Sequence, residues 1–298
     1  MRVPVGGMGA VTDALARAAV GAGAEVLTSA GVSAIRPGEG SPAEVDVHTV
    51  DGPRTVTATT VLANVAPWVL RILLGEPEDA ASKPVGAQLK INLLLDRLPQ
   101  LRSGVDPEEA FAGTLHLAED YTEIEQAWAD AAAGRVPTRM PGEVYCHSLS
   151  DPSILGSAAP GTHTMTYFGL HTPATLFEHD GAAAKALAVE RALAALDEHL
   201  VEPIASVVAR DAEGNPCIEA KIPQDIEADL AMPGGHIFHG DLDWPWAPSR
   251  ARLDTPAQRW GVATGVDQVL LCGSGSRRGG AVSGLGGHHA AHAVLEAR

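Results

Sequence analysis

The chain has 298 residues, 45% of them hydrophobic, with 21 Lys+Arg against 37 Asp+Glu and a net charge of −16. That length allows one large core or two modest ones. The acidic balance excludes a surface built to neutralise phosphates, whether those of nucleic acid or of an anionic membrane. Cys146, Cys217 and Cys272 are too few and too scattered for a disulfide framework or a C-x-x-C metal site, which fits a reducing compartment. No run approaches the roughly 18 apolar residues that cross a bilayer. The best, residues 56–70, contains Asn64 and Pro67, and the chain start has no apolar stretch like that of a signal peptide. A cytoplasmic protein with no transmembrane segment is expected.

In chain order, the turn Gly6-Gly7-Met8-Gly9 feeds a helix predicted over residues 11–20, closed by Gly21 and Gly23, and residues 25–28 read as a strand. Residues 44–50 and 54–63 alternate as two strands joined across Asp51-Gly52, until Pro67 stops the second. Residues 88–95, 143–149 and 163–170 read as strands, and 121–133 and 183–201 as helices. This middle region has the texture of an α+β insert. The tail has the same character as the beginning, with the buried-strand run Val269-Leu270-Leu271-Cys272, a glycine turn over residues 273–280 and a helix over 281–297. Strand, glycine turn and helix together suit an anion or cofactor, because free N–H groups at a helix start point at the ligand.

No glycine cluster completes the dinucleotide fingerprint. The third glycine of G-x-G-x-x-G would have to stand at Thr12, Arg278 or His289. There is no nucleophile elbow, Walker loop or Cys-His arrangement, so hydrolase and NTPase readings have no support. His288 and His292 stand one helical turn apart but lack a third ligand of fixed spacing, and no metal is expected. His236 and His239 flank Ile237-Phe238 in what reads as a strand and are expected to line a substrate cavity. His239 and Asp241 are the acid/base candidates, unless they satisfy backbone groups in a turn. Trp244, Trp246 and Trp260 read either as core filler or as the border of a tunnel for an apolar substrate.

Several segments carry a resemblance when taken in order. They are Gly6-Gly7-Met8-Gly9 with Gly23-Ala24-Glu25-Val26, then Val32-Ser33-Ala34-Ile35, then Thr60-Val61-Leu62-Ala63-Asn64-Val65-Ala66-Pro67. Ser150-Asp151-Pro152-Ser153, residues 233–241 and residues 271–291 follow. The set spans nearly the whole chain and resembles the C-terminal part of the phytoene desaturase-like FAD-dependent oxidoreductases, close to their pyridine nucleotide-disulfide oxidoreductase domain-containing subgroup.

The resemblance implies a mixed α/β and α+β fold, in which a partial Rossmann-like FAD-binding domain (residues 1–68 and 259–298) is interleaved with a substrate domain (69–258) built on a mixed β-sheet with helices. It implies that Val32 meets the adenine part of FAD through its backbone, and that Ala63 and Asn64 end the strand returning to the FAD domain. Gly273 and Ser274 would approach the ribityl and pyrophosphate portion. Gly280, Ala281, Val282 and Ser283 would face the flavin ring at a helix start, where N–H groups stabilise charge on the reduced ring.

Two features depart from the family pattern. Ser276-Arg277-Arg278 replaces a proline- and glycine-rich run, so the two arginines either meet FAD phosphates or are solvated loop charges. The N-terminal βαβ unit with its fingerprint is also absent, which leaves FAD binding by this chain alone in question. The implied function is hydride transfer from an apolar small molecule to FAD, by a chain that is a fragment of the larger fold. The alternative is a non-catalytic truncated relative serving as a binding or assembly module. A fold cut in this way is expected to self-associate or to need an N-terminal partner polypeptide.

Overall fold

The computed structural model of the chain describes residues 4–242, 244, 246–277 and 284–298. Its strands are β1 (Gly31–Arg36), β2 (Ala43–Thr49), β3 (Gly52–Ala58), β4 (Val61–Ala63), β5 (Leu89–Leu95), β6 (Thr114–Leu117), β7 (Gly142–Tyr145), β8 (His163–Gly169), β9 (Ile218–Lys221) and β10 (Val269–Leu271). Its helices are α1 (Gly7–Gly21), α2 (Pro67–Leu73), α3 (Pro107–Ala110), α4 (Tyr121–Ala132), α5 (His147–Ser150), α6 (Gly181–Asp197), α7 (Pro223–Leu230), α8 (Pro256–Trp260) and α9 (Leu285–Glu296). The class is mixed α and β, as the sequence implies. The backbone forms two compact units, Met1–Val26 with Ala87–Ile226, and Leu27–Gly86 with Glu227–Arg298. These change over at 26/27, 86/87 and 226/227, whereas the boundaries read from the sequence fall at 68/69 and 258/259.

The first unit is organised by a five-stranded sheet in the order β6-β7-β8-β5-β9, with every neighbouring pair antiparallel. The alternation in β5 sends Leu89, Ile91, Leu93 and Leu95 to one buried face. They join Met165 and Tyr167 of β8 and Ala188, Ala192 and Leu196 of α6 in one core. Tyr167 is fully buried, and its hydroxyl donates to the Met140 carbonyl at 2.7 Å, so its polar tip is satisfied. α4 starts in a capping box, with Asp120 accepting from the Glu123 N–H and Glu123 reaching back to the Asp120 N–H.

At the far end of α4 the buried Asp130 accepts from Arg135 Nη2 at 2.7 Å and from the Thr138 N–H at 3.1 Å. The Arg135 guanidinium, then the Thr138 N–H, hold this carboxyl below the usual carboxylate range. A depressed native pKa stabilises the fold fully above about pH 4, and that contribution is lost as the pH falls through the native value. Asp130→Asn is therefore expected to cost about 1–3 kcal/mol at neutral pH. Urea unfolding of the two proteins should converge below pH 4; a gap that stays constant with pH would contradict this role.

In the second unit β1, β2 and β3 form an antiparallel meander, turned between β2 and β3 by Gly52 at φ 113°. β4 and β10, whose paired residues are 208 positions apart in the chain, lie side by side in parallel, with Val269, Leu270 and Leu271 opposite Val61, Leu62 and Ala63. Val269 and Leu271 pack with Ile35, Ala63 and Leu70, while Leu270 packs with Val262, Ala290 and Ala293. Both faces of β10 are thus covered, as a strand of a parallel sheet requires.

Several sequence-based elements are corrected. Residues 25–28 form no strand, and Val26 and Leu27 are exposed, since alternation without a partner strand gives no ladder. The predicted strand 143–149 stops at Tyr145 and becomes α5, held by the Ser148 hydroxyl accepting from the Thr164 N–H at 3.0 Å. Residues 236–240 form a turn, because Gly234, Gly235, His239 and Gly240 all take positive φ. The single segment 54–63 divides at Thr59-Thr60 into β3 and β4, which belong to different sheets. Trp244 and Trp246 stack on each other at 4.9 Å and stand 69% and 62% exposed, so neither is core filler.

Candidate functional site

The carboxyl ends of adjacent parallel strands are where open α/β sheets place their ligands. Here β4 and β10 end together: the Cys272 N–H donates to the Ala63 carbonyl at 3.0 Å, and both strands then turn away, into 64–67 and 273–277. Burial pushes the Cys272 thiol up, which keeps it protonated and unreactive.

Close approach favours glycine at two positions of the second turn, most strictly at Gly275, where the neighbour is a proline ring rather than the end of a rotatable side chain. A Cβ on Gly273 would lie 2.0 Å from Asn64 Oδ1, and one on Gly275 would lie 2.5 Å from the Pro67 ring. Ala63, Asn64, Gly273 and Ser274, the residues expected from the sequence at a cofactor, therefore come together at one end of the strand pair. A cavity of about 380 Å³ opens there, lined by Pro67, His239, Asp241, Ser274, Gly275, Ser276 and Arg277, with Phe238 and Leu242 as apolar walls.

Two polar atoms at this cavity are unsatisfied. Ser276 is 4% exposed, and among the described residues its hydroxyl has no hydrogen-bond partner; Nδ1 of His239 is likewise buried without one among them. Buried polar groups are nearly always paired, so each such atom calls for an explanation, and a ligand supplies one. His239 also sits at φ 65°, a conformation that costs a non-glycine residue about 1–3 kcal/mol. Desolvation, then the neighbouring His236, lowers its pKa below the usual imidazole value, so it is neutral at physiological pH. A neutral imidazole offers one donor and one acceptor. His236 is occupied in the turn, its Nδ1 accepting from the Phe238 and Gly240 N–H groups at 3.3 Å. Asp241 lines the cavity from an exposed position.

Val32 is not brought to this cavity. It lies on β1 opposite Val47, 44% exposed. Gly280, Ala281, Val282 and Ser283, with Arg278, lie outside the described residues. The sequence reading missed Pro67, Gly275 and Ser276 as wall residues; the signal was present in the alternating glycines directly after the β10 run. His288 and His292 face each other with ring centroids 4.4 Å apart, and His292 stacks on Trp260 at 5.0 Å. Neither belongs to a group of three metal-capable side chains among the described residues.

Residues 1–172 match the family described as flavin containing amine oxidoreductase. Uncharacterized proteins of Mycobacterium bovis and Mycobacterium tuberculosis are 48% identical over 297 residues, covering 98% of this chain and 55% of theirs. The pyridine nucleotide-disulfide oxidoreductase domain-containing protein 2 of Rattus norvegicus is 30% identical over 314 residues, covering 97% of this chain and 50% of its own. The chain thus spans about half the length of the curated relatives it matches. Among solved structures, the OxyS anhydrotetracycline hydroxylase of Streptomyces rimosus is 14% identical, with 70% of this chain and 31% of that one covered at a TM-score of 0.35, a similarity too loose to bear on function. Among the described residues no helix is long and apolar enough to cross a membrane.

Proposed function

The chain belongs to the flavin containing amine oxidoreductase family, and on that premise we propose that it forms the flavin-cradling and substrate-side part of an FAD-dependent, desaturase-like oxidoreductase. The observation that carries this reading is the cradle at the ends of β4 and β10, where a Cβ on Gly275 would press on the Pro67 ring and two buried polar atoms lack partners among the described residues. When bound, FAD supplies the two-electron acceptor for a hydride leaving a substrate C–H bond.

The chain's own residues supply position and polarity. Gly273 and Gly275 let the turn close on Asn64 and Pro67 and so shape the wall, the Ser276 hydroxyl and the neutral His239 imidazole offer the ligand hydrogen bonds, and Arg277 places a positive charge on the wall. In this reading the second unit holds the flavin share, and the antiparallel sheet of the first unit belongs to the substrate share, for a small apolar molecule. The three free thiols suit a cytoplasmic setting.

The half of the mycobacterial relative that this chain does not match is the natural source of the remaining flavin contacts. Co-expressed with that half, the chain should retain FAD, and Ser276→Ala and His239→Ala should each weaken it by about 10-fold, the loss of one buried hydrogen bond. Fluorescence titration of bound and free FAD checks this. Unchanged affinity in both variants would remove the two side chains from the site.

A second reading, a non-catalytic assembly module, is favoured by α1. None of its residues is buried, and Met8, Leu15 and Val20 are 59%, 66% and 55% exposed. A complex that forms equally well with the cradle disrupted and without flavin would support that reading.

A further inference from the structure

On the edge strand of the first unit's sheet, we propose a binding site for one divalent transition-metal ion, formed by His116, Glu119 and Glu143. β6 and β7 pair with His116 directly opposite Glu143, so the two side chains share a face at the closest cross-strand approach. Ala118 follows with φ 50°, and Glu119 returns to His116, whose Nδ1 meets Glu119 Oε2. The same Nδ1 stands 4.0 Å from Glu143 Oε1, and one ligand atom from each of the three residues lies within 4.8 Å of the others.

Two further observations point to a cation. Glu119 Oε1 is buried and has no hydrogen-bond partner among the described residues, so one acceptor of a carboxylate whose Oε2 already meets His116 is left over. Among the described residues the ion pairs to Glu119 and Glu143 come from His116 alone, so even a protonated imidazole leaves the cluster with excess negative charge. A divalent ion satisfies the orphaned oxygen and the charge together.

The donor set fixes the class of ion. One imidazole nitrogen with carboxylate oxygens suits Zn²⁺ and its first-row neighbours, rather than the thiolate-seeking ions or the all-oxygen sites of Ca²⁺ and Mg²⁺. Three protein ligands leave a coordination position open, and the His116 side chain is 54% exposed, so that position faces solvent. Behind the site, the Tyr145 hydroxyl donates to Glu143 Oε2 and fixes the carboxylate's orientation, as outer partners of metal ligands do.

The test is calorimetric titration of Zn²⁺ into the metal-stripped full chain, with Co²⁺ absorption as a second readout of coordination. One ion per chain is expected. The near-isosteric Glu119→Gln and the solvent-side His116→Ala should each weaken binding by about 100-fold, at or above the roughly 10–100-fold cost of losing an outer partner. Far-UV circular dichroism confirms that both remain folded. His292→Ala, which alters the other close histidine pair, should bind as the unsubstituted chain does. The proposal is overturned if the unsubstituted chain takes up no ion, if Glu119→Gln and His116→Ala keep its affinity, or if His292→Ala loses it.

Discussion

Gly286→Val is expected to destabilise the chain by about 3 kcal/mol or more, in the upper range for overpacking a close contact. Gly286 lies on α9 where the helix crosses the turn after β10. A Cβ there would fall 2.4 Å from the Gly273 carbonyl oxygen and 3.0 Å from the Cys272 carbonyl carbon. These are backbone atoms, so relief requires moving the helix or the cradle itself. Gly287 is the internal control. Its Cβ would meet nothing closer than Cys272 O at 3.7 Å, an ordinary contact. Gly287→Ala should therefore be neutral, or stabilising by up to about 1 kcal/mol through helix propensity. Urea unfolding of the two variants separates the effects, and equal losses would mean that close approach is not what selects glycine at 286.

The second large effect is expected at Ile91, at the centre of the first unit. It is fully buried on β5, opposite Tyr167 on one side and Ala220 on the other. Ile91→Ala removes three carbons from a closed core and should cost about 2–5 kcal/mol, depending on how far the core collapses into the space. Denaturant unfolding measures the loss. A cost below about 1 kcal/mol would show that this sheet face is not the organising core.

These two places are unequally visible in the sequence. Ile91 is legible, because the alternation Leu89-Lys90-Ile91-Asn92-Leu93 announces a half-buried strand whatever the rest of the chain does. The β10 run is legible as a short apolar stretch bounded by turn residues, and so is the glycine turn after it. What such local patterns cannot show is pairing. β4 is three residues long and is a strand only because β10 lies beside it, so in the sequence it merges with β3 into one segment. Residues 25–28 have the composition of a strand but no partner.

His239 stands out in the sequence on the assumption of a strand, whereas its place at the cavity comes from a turn with positive φ at four nearby positions. The right neighbourhood is reached there by the wrong geometry. Ser276 draws notice only as part of an altered run. Its burial depends on Gly286, ten residues on in a separate element, a relation no local pattern encodes. Likewise His116 and Glu143 are 27 positions apart, joined by a register that exists only once β6 and β7 pair.

That the ends of β4 and β10 cradle a flavin is most directly tested by the bound-flavin absorbance of the chain purified with the unmatched half of its mycobacterial relative. About one FAD per complex is expected for the unsubstituted chain, and its loss in Gly275→Val, whose added side chain would press into Pro67 at the cavity wall. A folded complex without flavin, or a Gly275→Val complex that keeps its flavin in full, would contradict the flavin cradle.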